Sequence, residues 1–319
     1  PACAGNTVIF AGGGKEDSYK KIRGNSYGMW IATEINLHHD KTIKEAFNRQ
    51  LAAKRLKVFW DLNPDNPRAA IYAKYIDRYQ KQQEAGEFPG GYNYMHCTIY
   101  DNINITPERL HEIESRYDIN SIWYLRDIKG MRVVATGLIY RRFADAISTG
   151  SSTFGIRGKP TDLMEINLGI DFGGSGSKHA FVATGILPGY RGVVALASQR
   201  VEPDDVSKLA DAFLTFCQAV FGRWGEIHAI YCDSAEQLLI RHFRAQAKRC
   251  PFPWLADRIH NAKKIEINDR IRLTSILMGG GRFWYTPQAF TLRDALATSL
   301  WDSRYPDRDV RLDDGSTDI

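Results

Sequence analysis

The sequence predicts an α/β protein of two domains, and three observations carry that prediction. Short apolar runs of strand character alternate with longer stretches of helical spacing along almost the whole chain. Two of the apolar runs end in an aspartate at the strand tip: Ile166–Asp171, which runs on into Phe172, Gly173 and Gly174, and Ile227–Asp233. The length, 319 residues, is enough for two domains that each bury a core of their own.

Val8–Phe10 reads as a first strand, with Gly12, Gly13 and Gly14 as the turn behind it. Tyr27–Ile35 is a second, rich in aromatic and β-branched residues. Ile43, Ala46, Phe47 and Leu51 recur at helical spacing and predict a helix over 42–51. Lys57–Leu62 is a third strand, closed by Asn63, Pro64, Asp65, Asn66 and Pro67. A charged amphipathic helix over 69–83 and a fourth strand over 92–98 follow. Thr106 caps a helix that reaches Tyr117 and has Pro107 at its first position. Residues 122–127 read as a shorter helix. From 141 to 161 small, polar and glycine residues dominate, so the domain boundary is placed there. The second domain then reads strand 166–171, strand 179–187, strand 192–201, helix 204–221, strand 227–233 and helix 235–248. A short strand at 264–267, a helix over 269–278, a strand at 282–285 and a helix over 287–301 complete it. Three consecutive strands, then alternating helices and strands with acids at the strand ends, is the order of a ribonuclease H-like fold.

Composition narrows the classes. Hydrophobic residues at 44% and charged residues at 25% are those of a globular protein. The net charge of +5 fits a polyanionic partner but is mild. Five cysteines, scattered and without a C-x-x-C pair, exclude a disulfide framework and a zinc ribbon and fit a reducing cytoplasm. No apolar run approaches the roughly 20 residues of a membrane helix, and no signal peptide is expected. The chain opens on Pro1 and closes on Ile319 after an acidic stretch, so it is expected to be cut at both ends.

Two-metal phosphodiester hydrolysis needs hard oxygen ligands that hold a pair of Mg²⁺ or Mn²⁺ ions about 3.5–4 Å apart. Asp171, fixed by a central strand and followed by glycines that leave room for phosphate, suits the bridging ligand; Asp233 suits the second. Aspartate also ends strands simply as a turn former. Around the pair sit Ser175, Ser177, Lys178 and His179; Lys178 and His179 are candidates for contact with the scissile phosphate, although His179 also begins a strand. Asn261, Lys263, Lys264 and the Ile267–Arg270 segment offer basic groups either to a DNA backbone or to solvent. A third carboxylate is expected from Asp313, Asp314 or Asp318, or beyond Ile319.

The first domain carries a different chemistry. Gly28–Glu34 has the form of a Walker B strand, with Glu34 placed to polarise water for attack on a γ-phosphate. Asn63 stands just after the next strand, where a phosphate-sensing group belongs. Gly12, Gly13, Gly14 and Lys15 do not make a P-loop, because Glu16 stands where Ser or Thr is required.

Taken together these segments resemble the large terminase subunit of tailed phages and prophages. The residues that carry the resemblance are Lys21–Gly24 leading to Thr33 and Glu34, Asp61–Pro67, Leu168–Gly173, Tyr231–Glu236, Asn261–Lys264 and Arg311–Gly315. It covers nearly the whole chain, and the specificity lies in order and spacing. The resemblance implies a partial P-loop ATPase core over 1–145 without its Walker A loop, a linker over 146–162, and a ribonuclease H-like nuclease over 163–319 lacking its end. It implies ATP in the full-length protein, two Mg²⁺ or Mn²⁺ ions in the nuclease, and the cytoplasm of a bacterial host. The implied partners are double-stranded DNA, a small terminase subunit and a portal or procapsid, in an oligomeric motor. Glu34 maps to the catalytic glutamate, Asn63 to the coupling segment, and Asp171 and Asp233 to the first two nuclease ligands. Thr33 stands where many relatives have a metal-binding aspartate, and a hydroxyl there can still reach a metal-bound water. Two other readings stay open: a recombinase or resolvase-type nuclease on the same fold, and an inactive remnant that only binds DNA.

Overall fold

The computed structural model describes residues 2–3, 6–88, 90–156, 158–173, 177–202 and 205–313. The chain divides into two compact units, residues 1–96 and 97–319.

In the first unit β1 (Ala2–Cys3) and β2 (Asn6–Thr7) form a small antiparallel pair. β3 (Met29–Ala32), α1 (Asp40–Gln50) and β4 (Lys57–Trp60) make a β-α-β unit whose strands run parallel, in register from Met29 with Lys57 to Ala32 with Trp60. A π-helical turn, Tyr72–Ile76, leads into α2 (Asp77–Glu84). Alternation decides which side of the two strands is covered. Trp30 and Trp60 point at Phe47 of α1 and at Tyr75, with ring centroids 5.3 to 5.9 Å apart, and bury Ile35 and Ile43 beneath them. On the opposite side Met29, Ile31 and Phe59 stay exposed. The strand expected at Val8–Phe10 is absent, and those three side chains are exposed, Phe10 by 81%. Residues 92–98 likewise form no ladder. In both places apolar residues recur, but no described neighbouring strand offers its hydrogen bonds.

The second unit contains α3 (Pro107–Glu114), where Thr106 Oγ1 accepts from the Arg109 N–H at 3.3 Å, and α4 (Arg141–Ser148). Then come β5 (Glu165–Asp171), β6 (His179–Ile186), β7 (Val193–Val201), α5 (Val206–Trp224) and β8 (Ala229–Cys232). α6 (Gln237–Ala247), α7 (Leu255–Arg258), β9 (Ile259–Asn261), α8 (Ile267–Gly279), β10 (Phe283–Tyr285) and α9 (Phe290–Thr298) follow. The strands form one six-stranded mixed sheet in the order β10-β7-β6-β5-β8-β9. β5, β6 and β7 are antiparallel neighbours, β8 runs parallel to β5, and β9 parallel to β8. This is the ribonuclease H-like order that the sequence predicts.

α5 and α6 cover one face, where Phe213 and Phe243 stack 4.3 Å apart over Leu168, Ile170, Leu196 and Ile230. The other face is covered at the β7–β10 end by Phe143 of α4, Phe154, Met278 and Leu296. These contacts differ from the expected linker. Residues 141–148 are helical, and Phe143 and Phe154, lying 5.1 Å apart between ring centroids, are completely buried in the second unit. The compact units therefore part at 96/97, earlier than the serine- and glycine-rich stretch. A second difference concerns the short strand expected at 264–267, which forms instead at β9. Ile259 is buried against β8 there, whereas Ile265 and Ile267 are exposed and Ile267 opens α8.

A buried ion pair closes this unit. Arg126 and Asp309 are both almost fully buried and paired, and Arg126 Nη2 also donates to the Val133 carbonyl at 2.6 Å. Among the described residues no helix is long and apolar enough to cross a membrane.

Candidate functional sites at two pairs of strand tips

β5 and β8 run in parallel register up to Ile170 opposite Cys232, and the Asp233 N–H donates to the Ile170 carbonyl at 3.0 Å. The next residues, Asp171 and Asp233, therefore end adjacent strands at the same edge of the sheet. Hydrogen-bonded strands lie about 4.8 Å apart, so the two residues stand at neighbouring backbone positions. Ile166, Leu168 and Ile170 alternate into the core, which leaves Asn167, Gly169 and Asp171 on the other side; Gly169 and Asp171 are exposed. Asp233 is half-buried, and its Oδ1 accepts from the Ala235 N–H at 3.1 Å, the hydrogen bond of an aspartate-led turn. That turn fixes one of its two oxygens.

The surrounding groups fall differently from expectation. His179 is only 6% exposed, at the start of β6, its Nδ1 is buried without a hydrogen bond, and its ring meets Phe172 edge-on at 6.2 Å. Burial holds its pKa below the usual imidazole value, opposed by the negative charge of Asp171. It is a core residue touching the site from inside. Lys178 is exposed and pairs with Glu202 at 2.5 Å. Lys263 and Lys264, just beyond β9, are exposed at the same edge as the two aspartates.

The donor set consists of hard carboxylate oxygens, the kind that Mg²⁺ and Mn²⁺ take and that zinc or copper sites rarely use alone. Among the described residues no group of three His, Cys, Asp or Glu side chains could hold a metal ion. Of the three candidates for a further ligand, Asp314 and Asp318 lie outside the described residues, as does Ser175. Asp313 is exposed, one residue after Leu312, whose N–H donates to Leu300 at 2.8 Å outside the six-stranded sheet. Two carboxylates at adjacent tips are of the chemistry such ions take; the segment expected to bring a third lies mostly outside the described residues.

In the first unit the tips of β3 and β4 bring Glu34 and Asn63 together: Asn63 Nδ2 donates to Glu34 Oε1 at 3.3 Å. Glu34 is left-handed, φ 49° and ψ 51°, a conformation that costs a non-glycine residue about 1–2 kcal/mol. Asp61, whose part in this the sequence reading missed, holds it there. Its Oδ1 accepts from the Glu34 N–H at 2.9 Å, its carbonyl accepts from Ile35 at 3.0 Å, and its own N–H donates to Ala32 at 3.1 Å. Strain over-determined by surrounding bonds is common where a carboxylate must be aimed. Thr33 is exposed beside Glu34, and its backbone bonds the His38 imidazole. The sequence signal for Asp61 was its place after an apolar strand, one residue past the last ladder pair.

A six-stranded mixed sheet with aspartates at two adjacent strand tips thus follows a parallel β-α-β unit with a glutamate at its own tip, the arrangement of an α/β fold with a ribonuclease H-like sheet. No family model matches the chain, and no curated protein matches it. Solved structures do. The chain is similar to the large terminase of a thermophilic bacteriophage, with 17% identity, 95% of this chain and 69% of that chain covered, and a TM-score of 0.74. It is similar to the same phage protein in complex with ADP, at 16% identity, 96% and 71% coverage and a TM-score of 0.73. It is also similar to the complex with ATP-gamma-S, at 15% identity, 93% and 68% coverage and a TM-score of 0.71. The chain thus has the large-terminase fold, motor-type core and ribonuclease H-like domain included.

Proposed function

We propose that this chain is the greater part of a terminase large subunit, whose second unit is a metal-dependent endonuclease cutting double-stranded viral DNA. One observation carries the reading: the in-register parallel pairing of β5 and β8, which sets Asp171 and Asp233 side by side at an uncovered edge. Asp171 and Asp233 would hold Mg²⁺ or Mn²⁺, with the third ligand from the C-terminal segment. Bound there, such ions activate water and stabilise the leaving oxygen of a phosphodiester. The chain's own residues position these parts. β5 and β8 fix the two carboxylates on a rigid floor, the Ala235 turn orients Asp233, and Lys263 and Lys264 draw the DNA backbone to the edge.

In the first unit, Glu34 would orient the water that attacks ATP, and Asn63 would hold its carboxylate in line. That step needs a phosphate-binding loop, and no G-x-x-x-x-G-K-[ST] occurs in these 319 residues. The ADP and ATP-gamma-S complexes of the thermophilic phage protein support a nucleotide as ligand of the complete motor. Its work would be packaging, with a small terminase subunit, a portal and further copies of itself as partners in the host cytoplasm.

The test is plasmid nicking in Mn²⁺. Wild type cuts without strong sequence preference, and Asp171→Asn lowers the rate at least about 100-fold, the upper end of what losing even an outer-shell partner of a ligand costs, at an unchanged circular dichroism spectrum. Cleavage that survives the substitution removes Asp171 from the reaction. A melting temperature raised by Mn²⁺ equally in wild type and in Asp171→Ala favours the inactive, DNA-binding remnant instead.

A further inference from the structure

Two residues before the carboxylates, the same register sets a second row across three strands: Gly169 of β5, Tyr231 of β8 and His260 of β9. Tyr231 is 46% exposed and His260 is exposed, on the side away from the Phe213–Phe243 core. Their rings lie 6.0 Å apart and tilted by 41°, so they do not close on each other. Gly169 adds no side chain beside Tyr231, and a Cβ built there would meet nothing within 4 Å. The row is a tilted aromatic step with a bare floor beside it. Two residues of strand put it about 7 Å from the aspartate row. Lys263 and Lys264, which continue β9 past the step, supply charge complementary to a phosphate chain along the same edge.

An exposed aromatic pair on a basic sheet edge is the chemistry that receives a nucleobase, because every base has a π-face. That face is free only when the base has left its stack. We infer that Tyr231 and His260 form a stacking platform for an unpaired nucleotide flanking the cleaved phosphate. The inference rests on the nuclease reading for its position, and it makes this edge prefer single-stranded or frayed DNA over intact duplex.

The test reads binding in EDTA, where no cleavage occurs, so a failure of metal-dependent nicking leaves it intact. The 319-residue chain is titrated against a fluorescein-labelled single-stranded oligodeoxynucleotide, and against one carrying 2-aminopurine. Tyr231→Ala weakens binding of the single strand about 5- to 100-fold, the range of one lost base stack, with the salt dependence unchanged. Tyr231→Phe binds within about twofold of wild type, since the ring and not the hydroxyl stacks. Wild type and Tyr231→Phe quench 2-aminopurine; Tyr231→Ala does not. Lys263→Ala with Lys264→Ala flattens the salt dependence instead. Unquenched 2-aminopurine on wild type overturns the inference even if Tyr231→Ala folds poorly. So do a Tyr231→Ala that binds like wild type and a Tyr231→Phe as weak as the alanine.

Discussion

The two sheets that carry the candidate sites rest on very different foundations. In the second unit β5 is flanked by β6 and β8 in a six-stranded sheet, with α5 and α6 packed over one face and α4 and α9 over part of the other. In the first unit, among the described residues, β3 pairs with β4 alone, aromatic rings cover one face, and Met29, Ile31 and Phe59 stand bare on the other. Asp171 and Asp233 are aimed by ladder geometry, which a thick core holds at no local cost. Glu34 is aimed by a strained turn and three hydrogen bonds to Asp61. Two-stranded sheets are marginal on their own, and local stability follows buried contact. A site that must only hold ions suits the first arrangement; one that must change state with a bound nucleotide suits the second.

The largest effect separating the units should come from Arg126→Ala. It leaves Asp309 charged and buried without a partner, a loss of about 3–5 kcal/mol, seen as a lower urea midpoint for the second unit only. Arg126→Met with Asp309→Leu should recover most of it. Next, Phe213→Ala should cost about 3–5 kcal/mol by emptying a close-packed ring site. Phe59→Ser on the bare face of β4 should change stability by no more than about 0.5 kcal/mol, as surface substitutions do. Equal losses for these two would break the comparison. An effect of opposite sign, smaller than that of Phe213→Ala, is expected from Glu34→Gly, which relieves the left-handed residue and should gain up to about 1 kcal/mol in the first unit.

The smallest effect sharpens the link between the six-stranded core and its site. Burial keeps His179 neutral below its usual pKa of 6.5, and Asp171 resists that. Above the unfolded pKa both states are neutral and pH changes nothing. As pH falls below it the unfolded chain takes the proton first, so stability is lost down through the folded pKa. Asp171→Asn removes the opposing charge, moves the folded pKa lower and widens that window. Imidazole NMR titration of both proteins measures it; an unmoved or raised His179 pKa in the variant would sever the coupling.

Much of the second unit was legible because its strands are buried on at least one face and read as apolar runs ending in aspartate. β5, β6, β7 and β8 fall within about two residues of their expected places. Asp171 and Asp233 were legible for the same reason. Phe143 and Phe154 were not, since each is a lone aromatic in a polar, small-residue stretch whose burial depends on Phe283 and Tyr285, more than a hundred residues later. β9 was misplaced because Ile265 and Ile267 look as strand-like as Ile259, and only the edge of β8 chooses between them. Asp61 and the Tyr231–His260 row were hidden for a further reason. Their roles lie in cross-strand register, which a single strand's pattern does not contain.

Arg126 meets Asp309 across 183 positions of sequence. On a ribosome the anion is therefore made long after the guanidinium that needs it, when nearly all of the second unit's described residues have already emerged. A nascent chain stopped before that point carries a lone cation in its half-built interior. Such interrupted products should be conspicuous to chaperones and proteases, whereas a chain that has passed Asp309 has sealed that gap.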